Sequence, residues 1–226
     1  MADNQYAGRG QQQNGWFASP GKNLTFSLLL KPHFIALNNQ FDLTRVISLG
    51  VFDALQPLLG ADLKIKWPND VYYNDKKLGG ILIENLVQGN KIKNSVVGIG
   101  LNINEDKFPD WVPNAISVKQ ILHDDYDKHF LLSDICRHIE AWYLSLKAGK
   151  IDVIRNTYLS RLYWLNEQRT FKTSEGVLNG TITSVRENGI LIVKNNNSCE
   201  QEFTLKEIEF LPPNPRYLAG EFDVQI

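Results

Sequence analysis

Two long strand-like runs, KLGGILIENLV (77–87) and IKNSVVGIGLNI (92–103), are separated by only the polar turn QGNK, and this pairing limits what the chain can build. Runs joined by so few residues can fold back antiparallel but cannot make the long crossover that a parallel pair needs. They predict a central antiparallel pair with further strands beside it. Shorter strand signals precede them. NLTFSLLLKP is an apolar run closed by Pro32, and LKIKW alternates Leu63, Ile65 and Trp67 with Lys64 and Lys66, the period of a strand. Pro68 stops that run, and Asn69-Asp70 turns the chain into VYY.

Helical spacing occurs in three places. From about 39 to 59, Leu43, Val46, Ile47, Val51, Leu55 and Leu58 recur on one face, ended near Gly60. Residues 131–147 carry the stripe Leu131, Ile135, Ile139, Trp142 and Leu146, and 151–165 show a similar period. After about Gln168 the texture changes to short, turn-punctuated strands: RTFKT, GVLNGTITSV, GILIVKN and EQEFTLKEIEFL. Strands at this spacing suggest a small barrel or sandwich of about sixty residues. The expected fold class is therefore α+β: a mixed or antiparallel sheet with helices over 1–166, followed by a small β domain over 167–226. Residues 1–22, polar and rich in glycine and glutamine, read as a mobile loop.

A net charge of −1 gives no bulk basic surface for nucleic acid or an anionic membrane, so any anion site must be local. Cys136 and Cys199 form no C-x-x-C pair, and the four histidines have no metal-ligand spacing. The N-terminus lacks the apolar core of a signal peptide, and no stretch is apolar enough to span a bilayer. A cytoplasmic setting is the expectation.

Three segments could carry chemistry. In QYAGRGQQQNGW, Gly8 and Gly10 allow close approach to main-chain N–H groups, and Arg9 between them can meet a phosphate or carboxylate. KWPND is followed by DKKLGGILIE. There Lys76 and Lys77 point to opposite faces of a strand, so only one can enter a shared pocket, while Gly79 and Gly80 leave space for a ligand or a second backbone. GIGLNIN again places small residues in an apolar strand, with Asn102 able to offer its amide. Each alone has an ordinary structural explanation: a solvated loop, a lysine-tipped hairpin, or sheet packing.

Together, GRG, KWPND, KLGGILIE and GIGLNIN, in this order and spacing, resemble the biotin protein ligase catalytic domain over about residues 2–117. The last sixty residues are similar, more loosely, to the SH3-like β-barrel domain of the same family. The resemblance implies a class II synthetase-like fold of the biotin/lipoate ligase type. It also implies an ATP- and Mg²⁺-dependent reaction that makes biotinyl-5'-AMP and transfers biotin to a lysine of a biotin carboxyl carrier protein or domain. Carried onto this chain, it makes Gln5, Gly8, Arg9, Gly10 and Gln11 contacts for biotin and the adenylate, with Trp16 ending the loop. Lys77 meets the reacting carboxylate and α-phosphate, Asp70 is linked to magnesium, and Asn102 belongs to the nucleotide site. Lys77 and Arg9 are the catalytic candidates. Two anions must be brought together, so cations have to offset the growing charge. No covalent enzyme nucleophile is required, in keeping with the lack of a Ser-His-Asp or Cys-His set.

Two departures carry expectations. The family's arginine after GRG is Gln11 here, which predicts a less tightly held intermediate; escape no faster than from an arginine-bearing relative would count against it. The family's Ser-Thr-Asn segment, expected before the glycine-rich loop, is not seen ahead of Gly8, which puts full activity in question. No helix-turn-helix is visible, so no specific DNA binding is expected, and a homodimer through the sheet is open. The competing readings are a lipoate–protein ligase, a non-catalytic remnant kept as an interaction module, and a nucleic-acid-binding β-barrel that the charge balance does not favour.

Overall fold

In the computed structural model, which describes residues 1–11 and 15–211, the chain divides into two compact units, Met1–Tyr163 and a second beginning at Trp164. The first unit is built on a five-stranded antiparallel sheet. Its strands are β3 (Leu24–Leu30), β4 (Leu63–Lys66), β5 (Asp70–Tyr73), β6 (Lys76–Gln88) and β7 (Lys91–Leu101), in the order β3-β7-β6-β5-β4. The β6–β7 hairpin stands at the centre, as its length and tight turn require, and Gly89 in that turn takes a positive φ of 61°. A two-residue ladder, β1 (Gly8–Arg9) with β2 (Gly15–Trp16), lies outside this sheet.

Pairing register separates the two faces of β3, β7 and β6. Leu24, Phe26, Val97, Ile99, Leu101 and Ile81 share one face and are buried, as residues two apart along a strand must be when one face meets the core. That core is completed by α1 (Phe41–Leu59), which contacts β4, β5 and β6. Its apolar positions Leu43, Val46, Ile47, Val51 and Leu55 are wholly buried, and it ends at Gly60, whose φ of 75° suits glycine. Behind it pack α3 (Lys128–Lys147) and α4 (Ile151–Ser160). The opposite face carries Gly80, Gly98, Gly100, Thr25 and Leu82, small or half-covered residues that leave it open.

Several sequence expectations shift. The segment read as a loop over 1–22 contains the β1–β2 ladder and is tied down by Ala2 N–H to Thr25 O and Gly21 N–H to Asp3 O. The last helix stops at Ser160 rather than 165, because Leu162 leaves helical geometry to bridge Ile65. A further short helix, α2 (Val118–Leu122), begins on a capping box in which Ser117 and Gln120 bond each other's backbone N–H.

The second unit is an antiparallel sheet of β8 (Gln168–Thr173), β9 (Gly176–Val185), β10 (Leu191–Asn195), β11 (Glu200–Phe203) and β12 (Ile208–Phe210). The order is β11-β10-β9-β8-β12. Among the described residues no pairing joins β11 to β12, so the sheet is not closed into a barrel. Trp164, Phe171 and Phe210 form its aromatic centre, with ring centroids 5.2–6.0 Å apart. Both cysteines are free, and among the described residues no helix is long and apolar enough to cross a membrane.

Candidate functional site

The open face of the sheet becomes a site through register. Gly80 of β6 stands opposite Gly100 of β7, and residues directly paired in an antiparallel ladder project to the same face. On Gly100 rests the Trp16 ring: a methyl group at position 100 would lie 2.6 Å from Cε2 and 2.8 Å from Nε1 of that ring. Beside Gly80 lies an ion pair, with the Gly80 methyl direction 3.1 Å from Asp70 Oδ1 and 3.4 Å from Lys77 Nζ. Trp16 and the Lys77–Asp70 pair therefore stand side by side along one glycine-lined trough on this face of the sheet. Gly98, opposite Leu82, extends the floor.

Lys77 Nζ meets Asp70 Oδ2 at 2.7 Å, with both side chains partly open to solvent. The pair forms because the β5–β6 register slips by one residue between Val71 and Tyr72, which sets Lys77 opposite Tyr72 and Asp70 opposite Gly80. Lys76 is exposed, as the alternation of a strand demands. The KWPND turn that presents Asp70 is clasped from two sides by three hydrogen bonds. The Asn69 side-chain amide donates to Ile81 O, Ile81 N–H donates to Asn69 O at 3.1 Å, and Tyr158 of α4 donates its hydroxyl to Pro68 O at 2.8 Å.

A strap after β7 passes beside Lys77. Lys77 N–H donates to Asn114 O at 2.6 Å, and Ile116 N–H donates to Lys77 O at 3.0 Å. Asn102, expected in a nucleotide site, directs its amide N–H to Ile116 O at 3.1 Å, so here it holds the strap. At the strap's far end Asp106 bonds Lys119 at 2.9 Å and Lys22 at 3.0 Å, and these ammonium groups hold its carboxyl down to about 2. A depressed folded value means this contribution is present above the ordinary carboxylate range and is lost as pH falls toward 2. An NMR titration of the Asp106 carboxyl should have its midpoint near 2, and one near 4 would contradict the geometry.

The flap carries the remaining candidates. Gly8 pairs with Trp16 and Arg9 with Gly15, and a side chain at Gly8 would strike Trp16 O. Arg9 is exposed and no ion pair holds it among the described residues; Gly10 and Gln11 continue the chain from it, half-buried. Two buried polar atoms of this segment, Gln5 Oε1 and Trp16 Nε1, have no hydrogen-bond partner among the described residues. Such orphans are costly unless a ligand or water satisfies them. No bond joins Arg9 to Lys77; what converges on the trough is Trp16 and the Lys77–Asp70 pair. The donor set suits no standing metal centre. Asp70 is engaged by Lys77, and no three His, Cys, Asp or Glu side chains cluster among the described residues. One carboxylate is enough only for a Mg²⁺ that arrives on nucleotide phosphates.

Sequence reasoning overlooked Asn69, Tyr158, Glu105 and the 114–116 strap. Asn69 sits within KWPND and was visible as a residue but not as a clasp; the others act through contacts between distant segments.

A family model for the biotin/lipoate A/B protein ligase family matches residues 1–102, which contain the flap, the trough and Lys77. The biotin–[acetyl-CoA-carboxylase] ligase of Paracoccus denitrificans is 32% identical over 200 residues, covering 86% of this chain and 82% of that protein. The bifunctional ligase/repressor BirA of Bacillus subtilis is 27% identical over 207 residues; the match takes in 90% of this chain but only 63% of the relative's length. Among solved structures, the biotin protein ligase from Aquifex aeolicus in complex with biotin and ATP aligns with a TM-score of 0.77 at 27% identity, covering 94% of this chain and 88% of that one. On this similarity, which extends well beyond the trough and its flap, the chain belongs to the biotin/lipoate A/B protein ligase family, among its biotin protein ligases.

Proposed function

We propose that this chain is an ATP-dependent biotin–protein ligase. Biotin lies along the glycine-lined trough beside the Trp16 ring, which rests on Gly100, with its carboxylate toward Lys77. Its carboxylate oxygen attacks the α-phosphorus of ATP, the bond to the β-phosphate breaks, and biotinyl-5'-AMP and pyrophosphate result. Lys77 stands where the two anions meet, with Arg9 as the second cation once the flap closes. A preorganised cation in a partly dry site is typically the largest contribution to such a step. A neutral lysine amine of a biotin carboxyl carrier domain then attacks the acyl carbon and releases AMP. Asp70 orients Lys77, and among the described residues it is the carboxylate beside Lys77 that would meet a Mg²⁺ brought on the phosphates.

The observation that carries this reading is the pairing of Gly80 with Gly100, which sets the Trp16 ring and the Lys77–Asp70 pair on one face. The Aquifex aeolicus neighbour, solved with biotin and ATP, supports it. The test is ATP–pyrophosphate exchange with biotin and with lipoate, followed by transfer to a carrier domain. Exchange with lipoate alone, or with neither acid, would sink it. The reading goes with a cytoplasmic protein. Leu29 on the edge strand β3, paired with Val96 of β7, leaves exposed apolar surface on the open face. That suits a homodimer through the sheet, which sedimentation at micromolar concentration would detect.

Gly100→Ala probes the floor directly. Its methyl would overlap the Trp16 ring at 2.6 Å, so the ring must lift from the trough. The expected result is a biotin KM raised about tenfold, the order of one lost ring contact of ~1.4 kcal/mol, with a shifted tryptophan emission. An unaltered KM would show that the Trp16 ring does not pack against biotin.

A further inference from the structure

Glu105 lies outside every motif that pointed to the ligase reading, yet the residue is only 3% exposed and its carboxylate joins the two segments that border the trough. Oε1 accepts from Ser19 N–H at 2.7 Å and from the Asn23 amide at 2.8 Å, and Oε2 accepts from Ser19 Oγ at 3.0 Å. No cation pairs with it among the described residues. Its backbone carbonyl accepts from Ser117 Oγ at 2.7 Å. A buried carboxylate without a cation is costly, and here three donors offset that cost. A carboxylate only accepts, so it holds Ser19 by main chain and side chain at once and fixes the backbone direction there.

Ser19 stands three residues after Trp16. Ser117 follows Ile116, whose N–H is bonded to Lys77 O. One continuous path therefore runs from the flap tryptophan through Ser19, Glu105, Ser117 and Ile116 to the backbone of Lys77. A second seam reinforces it nearer the solvent. Phe17, next to Trp16, meets Trp111 of the strap edge-on at 5.6 Å and Phe108 at 6.5 Å, and Trp111 is 66% exposed.

We infer that Glu105 is a positioning residue that locks the flap stem to the strap beside Lys77, so that flap and strap move as one unit and retain the acyl-adenylate. This rests on the ligase reading. It acts on the gap between Trp16 and Lys77 and touches neither substrate nor reacting atoms. Replacing the carboxylate by an amide sets an N–H₂ donor against the Ser19 or Asn23 donors, which loosens the joint while keeping its volume.

The experiment follows biotinyl-5'-AMP made in situ by the full chain, then chased, in wild type, Glu105→Gln, Ser19→Ala and the double variant. Glu105→Gln is expected to release the adenylate about tenfold faster, with the biotin KM raised to a similar extent and kcat of exchange reduced less than threefold. Ser19→Ala should give a smaller change of the same sign, and the double variant should release no faster than Glu105→Gln alone, since both act at one joint. Hydrogen exchange should rise together in the flap and in the 105–117 strap. If Glu105→Gln fails to fold, Ser19→Ala decides. Wild-type release rates in the folded variants, multiplying effects in the double variant, or faster exchange in only one segment would each overturn the inference. A wild-type chain that forms no adenylate refutes the ligase reading instead, and the exchange measurement still tests the joint.

Discussion

Lys77→Met is expected to slow biotin-dependent ATP–pyrophosphate exchange by roughly 10²–10³-fold, the range seen when one preorganised electrostatic partner is removed from a developing anion. Methionine keeps most of the stem that packs beside Gly80, so the change isolates the charge. It also leaves Asp70 without its partner at 2.7 Å, next to the place where a carboxylate and a phosphate must approach. The loss should therefore fall on kcat as well as on KM. Asp70→Asn should cost less, because the Lys77 cation remains, although both its orienting partner and the carboxylate offered to Mg²⁺ are lost. Lys77→Met activity within about tenfold of wild type would remove Lys77 from the reacting centre; that is roughly 1.4 kcal/mol, no more than a single surface contact gives.

The second large effect is on stability. Asp42 on α1 is buried and accepts from Arg45 Nη1 at 2.6 Å and from Arg155 Nε and Nη2 of α4 at 3.1 and 2.9 Å. Arg45 is 1% exposed and lies 4.5 Å over the Phe41 ring. Burial pulls its guanidinium pKa down, and Asp42 is the main group opposing that shift. Asp42→Ala leaves a buried cation without its carboxylate, for which a loss of about 3–5 kcal/mol is expected. Urea unfolding should show it as a lower midpoint at unchanged slope. A variant as stable as the parent would mean that water or a rearranged Arg45 compensates. The effect bears on the site, because α4 also carries Tyr158, which holds Pro68 and with it the turn presenting Asp70.

Much of this arrangement is legible in residue order. Alternation in LKIKW placed Leu63, Ile65 and Trp67 on a buried face, and they are buried. The spacing of Leu43, Val46, Ile47, Val51 and Leu55 gave a helix that ends at Gly60, as found. The misses have physical reasons. Helix α2 is too short to show a period, and its signal was the Ser117–Gln120 capping box. EQEFTLKEIEFL reads as one strand but is two, on opposite edges of the second sheet. Glu207 accepts from both Thr204 N–H and Oγ there, at 2.7 and 2.8 Å, and makes a turn that no glycine or proline announces.

What the sequence determined by itself is whatever depends on neighbours along the chain: strand and helix periods, the tight β6–β7 hairpin, and motifs specific enough to mark the family. The tertiary structure alone decided which of those residues share a face. A one-residue slip between Val71 and Tyr72 sets the Lys77–Asp70 pair beside Gly80, the register of β6 on β7 sets Gly100, under Trp16, opposite Gly80, and Glu105 finds its donors more than eighty residues away. Register and long-range hydrogen bonds are settled by the packing of whole elements, and a local pattern carries no record of them.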